Sequence, residues 1–202
     1  MFAALLDTCV LWPSLQRDFL LPLAIEGLYR PLWSAAILEE LEYEEARKLV
    51  ERGEDAAKAA VRAGHLIQRM TVAFDDAQVS GWEGLDGTYD LPDPDGEHVL
   101  AAAVVGGAGA IVTHNAKDFP FSRLPSGLDV LSPKKFAENT VALSPARARA
   151  AVDAIARRSG VNGRSMTTLD ILTQRYGMDQ AAELIRKIPG SRRTELDNAL
   201  VD

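Results

Sequence analysis

Short apolar runs and longer segments of helical periodicity alternate along the first two thirds of the chain. Residues 2–6, 71–74, 110–113 and 128–131 are mostly apolar runs of strand length, and the first ends at Asp7. Between them, apolar residues recur every three or four positions, which predicts helices at residues 13–28, 35–51, 54–63 and 98–105, the third with a continuation to Met70 left open. Strands that alternate with helices predict an α/β domain built on a parallel sheet.

The pattern changes after Pro133, where only helical periodicity remains. Helices are predicted at residues 145–158, 168–176 and 178–187, with residues 133–143 as the connection to them. A chain of 202 residues can hold one substantial core and a small appendage, but not two full domains. We therefore predict a main domain at residues 1–136 and a helical C-terminal extension at residues 137–202.

Charge is distributed unevenly between these two parts. The formal net charge is −7, but residues 1–132 carry 10 basic and 21 acidic side chains, whereas residues 133–202 carry 12 basic and 8 acidic ones. An acidic domain can bind phosphates if divalent cations occupy some of its carboxylates and a basic surface lies nearby. An Arg-rich helix is more often only a solvated surface, but it supplies candidates for phosphate contacts at the edge of a site: Arg147, Arg149, Arg157 and Arg158.

Two further features concern the compartment. The lone cysteine, Cys9, excludes an internal disulfide and a cysteine-based metal site. The apolar start contains Asp7 and has no basic leader, and no apolar run has the length of a membrane span. These features predict a cytoplasmic protein with no membrane partner.

Acidic residues stand at the positions where an α/β sheet presents its functional edge. Asp7 ends the first predicted strand, Asp118 follows the strand at residues 110–113, and Asp93 and Asp95 precede a helix. The pair Glu39–Glu40 lies on another helix. Each has an ordinary structural explanation, as a turn residue, a helix cap or a solvated side chain. Together they predict a site for Mg²⁺ or Mn²⁺, which prefer carboxylate oxygens and can assist cleavage of a phosphodiester.

Four segments carry a resemblance to a known family. They occur in the order LLDTCVL at 5–11, SAAILEEL at 34–41, LPDPDGEHVLAAA at 91–103 and IVTHNAKDFP at 111–120. This series resembles the PIN-domain family, which includes the VapC toxins of bacterial toxin–antitoxin pairs, over residues 2 to about 136. The resemblance implies a three-layer α/β/α fold with a central parallel sheet, and a Mg²⁺- or Mn²⁺-dependent endoribonuclease that a cognate antitoxin neutralises. A homodimer is left open.

The same resemblance assigns the acids. The family's first acid corresponds to Asp7, its helical Glu to Glu40 and its last Asp to Asp118, while Asn115 occupies a position that is often acidic or Asn. The family's third acid usually stands two residues before the His of the HVLAAA helix, and that position is Gly96 here. We predict that Asp95 replaces this carboxylate, with Asp93 second and Glu97 third.

Two other functions remain open at this stage. If no acid replaces the one missing at Gly96, the chain is a PIN fold that binds RNA or a partner without cleaving it. An aspartate at a strand end also serves phosphohydrolases and phosphoacceptor domains, but the former need a second acid two residues beyond Asp7, where Cys9 stands.

Neighbouring polar and aromatic residues complete the predicted site. Thr113 and Ser34 are predicted to orient Asp7 or Asp118 by hydrogen bonds, in addition to the cap that Ser34 provides for its helix. His98 is interpreted as a packed residue at a helix start, since imidazole is a poor ligand for a hard cation. Residues that could contact phosphates or bases, although simple surface or packing roles are at least as common for them, are Lys117, Arg123, Trp12, Trp33 and Trp82.

Overall fold

Five parallel strands form a single sheet in the computed structural model, which describes residues 1–159 and 164–189. The strands, in chain order, are β1 Ala3–Leu6, β2 Arg30–Ser34, β3 Gln78–Val79, β4 Ala110–Val112 and β5 Asp129–Leu131. Their order in the sheet is β3-β2-β1-β4-β5. The register pairs Leu5 with Leu32 on one side of β1 and with Ile111 on the other.

Nine α-helices are described in addition. They are α1 Thr8–Leu11, α2 Ser14–Ile25, α3 Ala35–Glu51, α4 Ala56–Ala73, α5 Glu97–Val105, α6 Pro133–Leu143, α7 Pro145–Ser159, α8 Arg164–Tyr176 and α9 Asp179–Arg186. None of the described helices combines the length and the apolar content that a membrane crossing requires.

The order in which the chain adds strands to this parallel sheet reverses at β1. The chain places β2 and then β3 on one side of β1, and β4 and then β5 on the other. Because crossovers between parallel strands are right-handed, α2 to α4 and α5 cover opposite faces of the sheet. This arrangement confirms the three-layer α/β/α class, and it opens a crevice where the carboxyl ends of β1 and β4 diverge.

Strand β2 was not predicted, and its Pro31 explains why. Proline normally argues against a central strand because it lacks the N–H that the ladder needs. Here Arg30 donates to the carbonyl of Phe2, whereas Trp33 donates to Ala77 on the other side. The missing N–H of Pro31 therefore faces the side where β3 has no residue, since β3 pairs only from Trp33 onward. The proline costs no ladder hydrogen bond.

The predicted strand at residues 71–74 is wrong. Helix α4 runs on to Ala73, with Asp55 accepting from the amides of Ala57 and Lys58 at its start. Thr71 and Val72 are exposed on this helix, so their β-branched side chains do not decide its end. The apolar ring of Phe74 instead packs edge-on against Trp33, with ring centroids 5.7 Å apart. The strand that pairs with β2 is β3 at Gln78–Val79, which begins seven residues after the predicted start at residue 71.

Residues 133–143 form a helix rather than a simple connection. Ser132 accepts from the amide of Lys135 at its start, and Phe136 meets the buried Tyr29 edge-on at 4.8 Å between ring centroids. Helix α7 packs along α2, and α6, α8 and α9 pack around it, so the core continues from the sheet into the extension. The helical C-terminal extension is confirmed, while the boundary at residue 136 stays a prediction.

Candidate active site

A cleft of about 490 Å³ opens where β1 and β4 end. This is the point at which the strand order reverses. The segments that follow β1 and β4 therefore lie close together there. Six acids from four separate stretches of chain line the cleft together with Asn115, and they are Asp7, Glu40, Glu44, Asp93, Asp95 and Asp118. All the acids predicted for the site, apart from the third candidate Glu97, therefore face one cleft.

Asp7 lies at the centre of this sheet edge. Its backbone N–H donates to the carbonyl of Val112, which ties the end of β1 to the end of β4. Its Oδ2 accepts hydrogen bonds from the hydroxyl of Thr113 at 2.6 Å and from the thiol of Cys9 at 3.1 Å. Within the described residues no protein group donates to Oδ1, so this oxygen is available to a ligand.

Cys9 serves as a donor to Asp7. Burial, followed by the negative charge of Asp7, raises the pKa of Cys9 to about 12. The sulfur therefore remains a thiol at neutral pH, and it also accepts from the backbone N–H of His114. A protonated Cys9 can hold Asp7, but it is a poor metal ligand and nucleophile.

Both carboxylate oxygens of Glu40 are held by side chains from other elements. Thr8 at the start of α1 donates to Oε2 at 2.6 Å, and Nε2 of His98 on α5 lies 3.2 Å from Oε1. The hydrogen bond from His98 lowers the pKa of Glu40, against the opposing effect of burial, and Thr8 lowers it further. Burial lowers the pKa of His98, but its bond to Glu40 and the surrounding acidic charge more than offset this, so the pKa is raised.

The loop before α5 carries the acids nearest to Gly96. Asp93 accepts from the backbone N–H of Asp95 at 3.1 Å, which fixes a short 3₁₀ turn at Pro94–Gly96. Gly96 is buried, and a Cβ built there would lie 3.3 Å from the ring of Phe119. An aromatic side chain thus crowds the position of the expected third acid.

Glu97 has a different role from the one weighed for it in the sequence. It is 4% exposed, and it accepts from the backbone N–H groups of Tyr89 at 2.9 Å and Leu91 at 2.6 Å. It does not line the cleft. Glu97 anchors the loop that presents Asp93 and Asp95.

Asp118 is half-buried at the end of a 3₁₀ turn, Ala116–Asp118. The turn is closed by a hydrogen bond from its backbone N–H to the carbonyl of Asn115. Asn115 in turn donates its own backbone N–H to the Thr113 hydroxyl that holds Asp7. In the described part of the chain the Asp118 carboxylate accepts no hydrogen bond, so it too is available to a ligand.

The acids share the cleft without converging on one point. Among the described residues, no three His, Cys, Asp or Glu side chains are close enough to hold a metal ion directly. Ser34 is fully buried, its hydroxyl accepts from the Ile37 N–H as the predicted helix cap, and it makes no described bond to Asp7 or Asp118.

The basic extension does not reach the cleft in the way that its sequence suggested. Arg147 lies beside Gly27, in the turn before β2, at the opposite edge of the sheet. Arg149 is bound to Asp153 and to the carbonyl of Ile188. Arg157 is exposed, and the side chain of Arg158 lies outside the described residues. No described residue beyond Phe119 lines the cleft.

Comparison with protein-family models identifies the family of this chain. The family model described as PIN domain matches residues 3–117, more than half of the chain. The chain belongs to the PIN-domain family. PIN domains are generally nucleases, so a nuclease-type function of the hydrolase class follows for this chain. No curated protein and no solved structure matched the chain with statistical significance.

Sequence reasoning missed two contributors to this PIN-domain site. His98 was interpreted as a packing residue, yet it contacts Glu40, and Thr8 was not considered. Glu40 lies 32 residues from Thr8 and more than 50 from His98, so no local spacing reveals the contacts. In the sequence, the only indication of a role for His98 was its position two residues after the one expected for the family's third acid.

Proposed function

We propose that this PIN domain is a metal-dependent endoribonuclease that hydrolyses phosphodiesters of RNA with Mg²⁺ or Mn²⁺. The observation that carries the proposal is the meeting of Asp7, Glu40 and Asp118 in one cleft, joined there by Asp95 and Asp93. These residues come from strand ends and helices that are distant in sequence, and only a cleft that uses negative charge explains their collection at one place.

The donor set suits a hard cation. Asp7 and Asp118 each have carboxylate oxygen that no described protein group occupies, and every acid in the cleft offers oxygen. Mg²⁺ keeps several of its waters and binds proteins through one or two carboxylates, so a loose arrangement of acids is compatible with it. Asp7 and Asp118 would hold the ion, with Asp95, Asp93 and Glu40 nearby. The ion would supply Lewis acidity and an activated water.

The protein's own groups prepare these carboxylates. Thr113 and Cys9 hold one oxygen of Asp7, and the other accepts no hydrogen bond from a described protein group. Thr8 and His98 hold Glu40 in its ionised form. Since these restraints come from α1, from α5 and from the end of β4, folding fixes the acids before substrate binds, which is how preorganised sites avoid reorganisation during reaction.

Cleavage of single-stranded RNA by the purified protein tests the proposal. We expect cleavage with Mg²⁺ or Mn²⁺ and none with EDTA. The same divalent ions at millimolar concentration should raise the melting temperature, because a ligand that binds only the folded state stabilises it. Cleavage that persists in EDTA, or that is confined to DNA, would contradict the proposal.

Gly96 favours a second candidate function, a PIN fold that binds RNA without cutting it. The ring of Phe119 crowds the position at which the family's third acid is expected, and no three acids of the described residues converge. Metal-independent RNA binding with no cleavage under any divalent ion would favour this candidate over the first.

The toxin context is a further proposal that rests on the family resemblance. A VapC-like protein would act on RNA in the cytoplasm, and a small antitoxin would cover the acidic cleft. Expression of the chain alone should then arrest growth, and co-expression of a small neighbouring reading frame should relieve the arrest. Growth that is unaffected by an actively cleaving protein would contradict the toxin role.

Asp95 should contribute more to cleavage than Asp93. Asp95 is exposed in the cleft one residue from the expected acid, whereas Asp93 already uses one oxygen to cap the turn. We expect Asp95→Asn to slow cleavage about 10- to 100-fold, the range seen when partners of a metal ion are altered. Asp93→Asn and the exposed control Glu39→Gln should have smaller effects. The reverse ranking in single-turnover assays would refute this assignment.

His98 should act on cleavage through Glu40. Gln at position 98 can place an amide N–H where the Nε2 of His98 lies, while Leu cannot. His98→Leu should therefore slow cleavage about 10- to 100-fold, and His98→Gln should retain most of it. If both substitutions have the same effect, or if His98→Leu still slows cleavage in a Glu40→Gln background to the same extent, His98 does not act through Glu40.

A further inference from the structure

One aromatic ring in the loop that follows Asp118 lies almost entirely in solvent. Phe121 is 87% exposed, although burying a Phe side chain typically stabilises a protein by about 1.5–3 kcal/mol. Single exposed apolar residues are common, so the position of this one is what matters. It follows Asp118 by three residues, in a turn at Phe121–Arg123.

The turn is fixed to the cleft on both sides. The preceding Phe119 is 4% exposed and packs against Gly96 at the cleft wall. The following Arg123 forms an ion pair of 2.8 Å with Asp90, on the loop that leads to Asp93. Pro120 and Pro125 restrict the backbone around the turn. The backbone that carries the exposed ring is therefore positioned close to the candidate catalytic acids.

The other aromatic side chains considered for base contacts are less accessible. Trp33 is fully buried, and Trp82 is 9% exposed. Trp12 lines the cleft but donates its indole N–H to the carbonyl of Glu44, and the ammonium of Lys48 lies 5.7 Å from its ring. Phe121 thus presents the most accessible aromatic face next to the cleft in the described part of the chain.

The negative charge of the cleft makes an exposed aromatic ring useful for RNA binding. Its lining contains six acids and, among the described residues, no lysine or arginine. Two exposed cations stand in the loop with Phe121: Lys117, which has no described partner, and Arg123, which pairs with Asp90 through Nη2 and has further N–H groups that can donate to a phosphate. With so few cations, RNA affinity must come partly from contacts other than phosphate.

We propose that Phe121 is a stacking platform for one base of single-stranded RNA beside the scissile phosphate, with Lys117 and Arg123 contacting the flanking phosphates. This inference rests on the proposed RNA substrate. Single-strand-binding proteins combine cations with exposed aromatic rings, and each stacked base adds affinity without reading sequence. Paired bases are already stacked within a duplex, so the platform favours unpaired RNA.

Binding to a cleavage-dead protein tests the platform. Asp7→Asn protein is titrated with a short single-stranded RNA that contains 2-aminopurine, and affinity and base fluorescence are recorded in Mg²⁺. Adding Phe121→Leu should weaken binding about 5- to 150-fold, which corresponds to about 1–3 kcal/mol per stacked base. Phe121→Trp should retain affinity and quenching. The control Phe2→Leu, half-exposed before β1 at the opposite sheet edge, should change neither.

The outcomes separate the platform from the proposed function. If the parent protein binds RNA and Phe121→Leu binds it equally well, the platform is refuted and the RNA substrate stands. If Phe121→Leu and Phe121→Trp weaken binding alike, the contact is one of shape rather than stacking, and the platform is also refuted. If the parent binds no single-stranded RNA, both proposals fail. If Phe121→Leu leaves RNA affinity unchanged but abolishes binding to the protein encoded by a neighbouring reading frame, Phe121 belongs to a protein interface instead.

Discussion

Asp7→Asn and Asp118→Asn should each slow RNA cleavage by more than about 100-fold. Altering the outer partners of a metal site already costs about 10- to 100-fold, and these two residues carry the oxygens that face the cleft unoccupied. The substitution at position 7 keeps an oxygen that can accept from Thr113 and Cys9, so the local hydrogen bonds can persist. It removes the charge on which a bound cation depends.

The melting temperature of these variants should not fall, although their cleavage activity does. Because Asp7 stands among like charges, neutralising it relieves repulsion, and the melting temperature in EDTA should be unchanged or raised. The increase in melting temperature on adding Mg²⁺ or Mn²⁺ should shrink in both variants. Asp129→Asn, an exposed acid at the start of β5 on the opposite sheet edge, is the matched control and should behave as wild type.

Either of two results would defeat this assignment. One is retained cleavage in Asp7→Asn or Asp118→Asn, which would remove that residue from the site. The other is a large fall in the melting temperature of both variants, which would show that they serve the fold and that loss of cleavage is secondary.

Glu97→Gln should have the opposite profile, with a large effect on stability. Two backbone N–H groups donate to the buried carboxylate, and hydrogen bonds to charged groups contribute about 1.5–3 kcal/mol each. An amide side chain accepts from only one of the two groups without turning its own N–H₂ toward the other. We expect the free energy of unfolding to fall by about 2–3 kcal/mol, measured by urea denaturation.

Cleavage should fall with it, because the loop that Glu97 anchors presents Asp93 and Asp95. Comparison with Asp95→Asn separates the two roles, since that variant should lose cleavage at unchanged stability. Glu83→Gln, an exposed acid in the same stretch before α5, is the control. If Glu97→Gln lost cleavage without losing stability, Glu97 would belong to the site after all.

The sequence alone determined the order of most elements and the family. Buried strands and amphipathic helices leave local periodicities, and the carboxyl ends of parallel strands meet at one sheet edge. Asp7 follows β1 directly and Asp118 lies six residues after β4, so their approach to one cleft could be predicted from local pattern. The same logic placed Asp93 and Asp95 at the start of a helix, and motif order identified the PIN domain.

Tertiary packing decided what local pattern could not. Pro31 argued against β2 until the short β3 removed the need for its N–H, and the residues after Met70 joined a helix although their propensities favour a strand. The roles of His98, Thr8 and Glu97 depend on partners from other parts of the chain, as does the crowding of Gly96 by Phe119. Spacing along the chain cannot reveal these contacts, because they exist only after the sheet and its helices have packed.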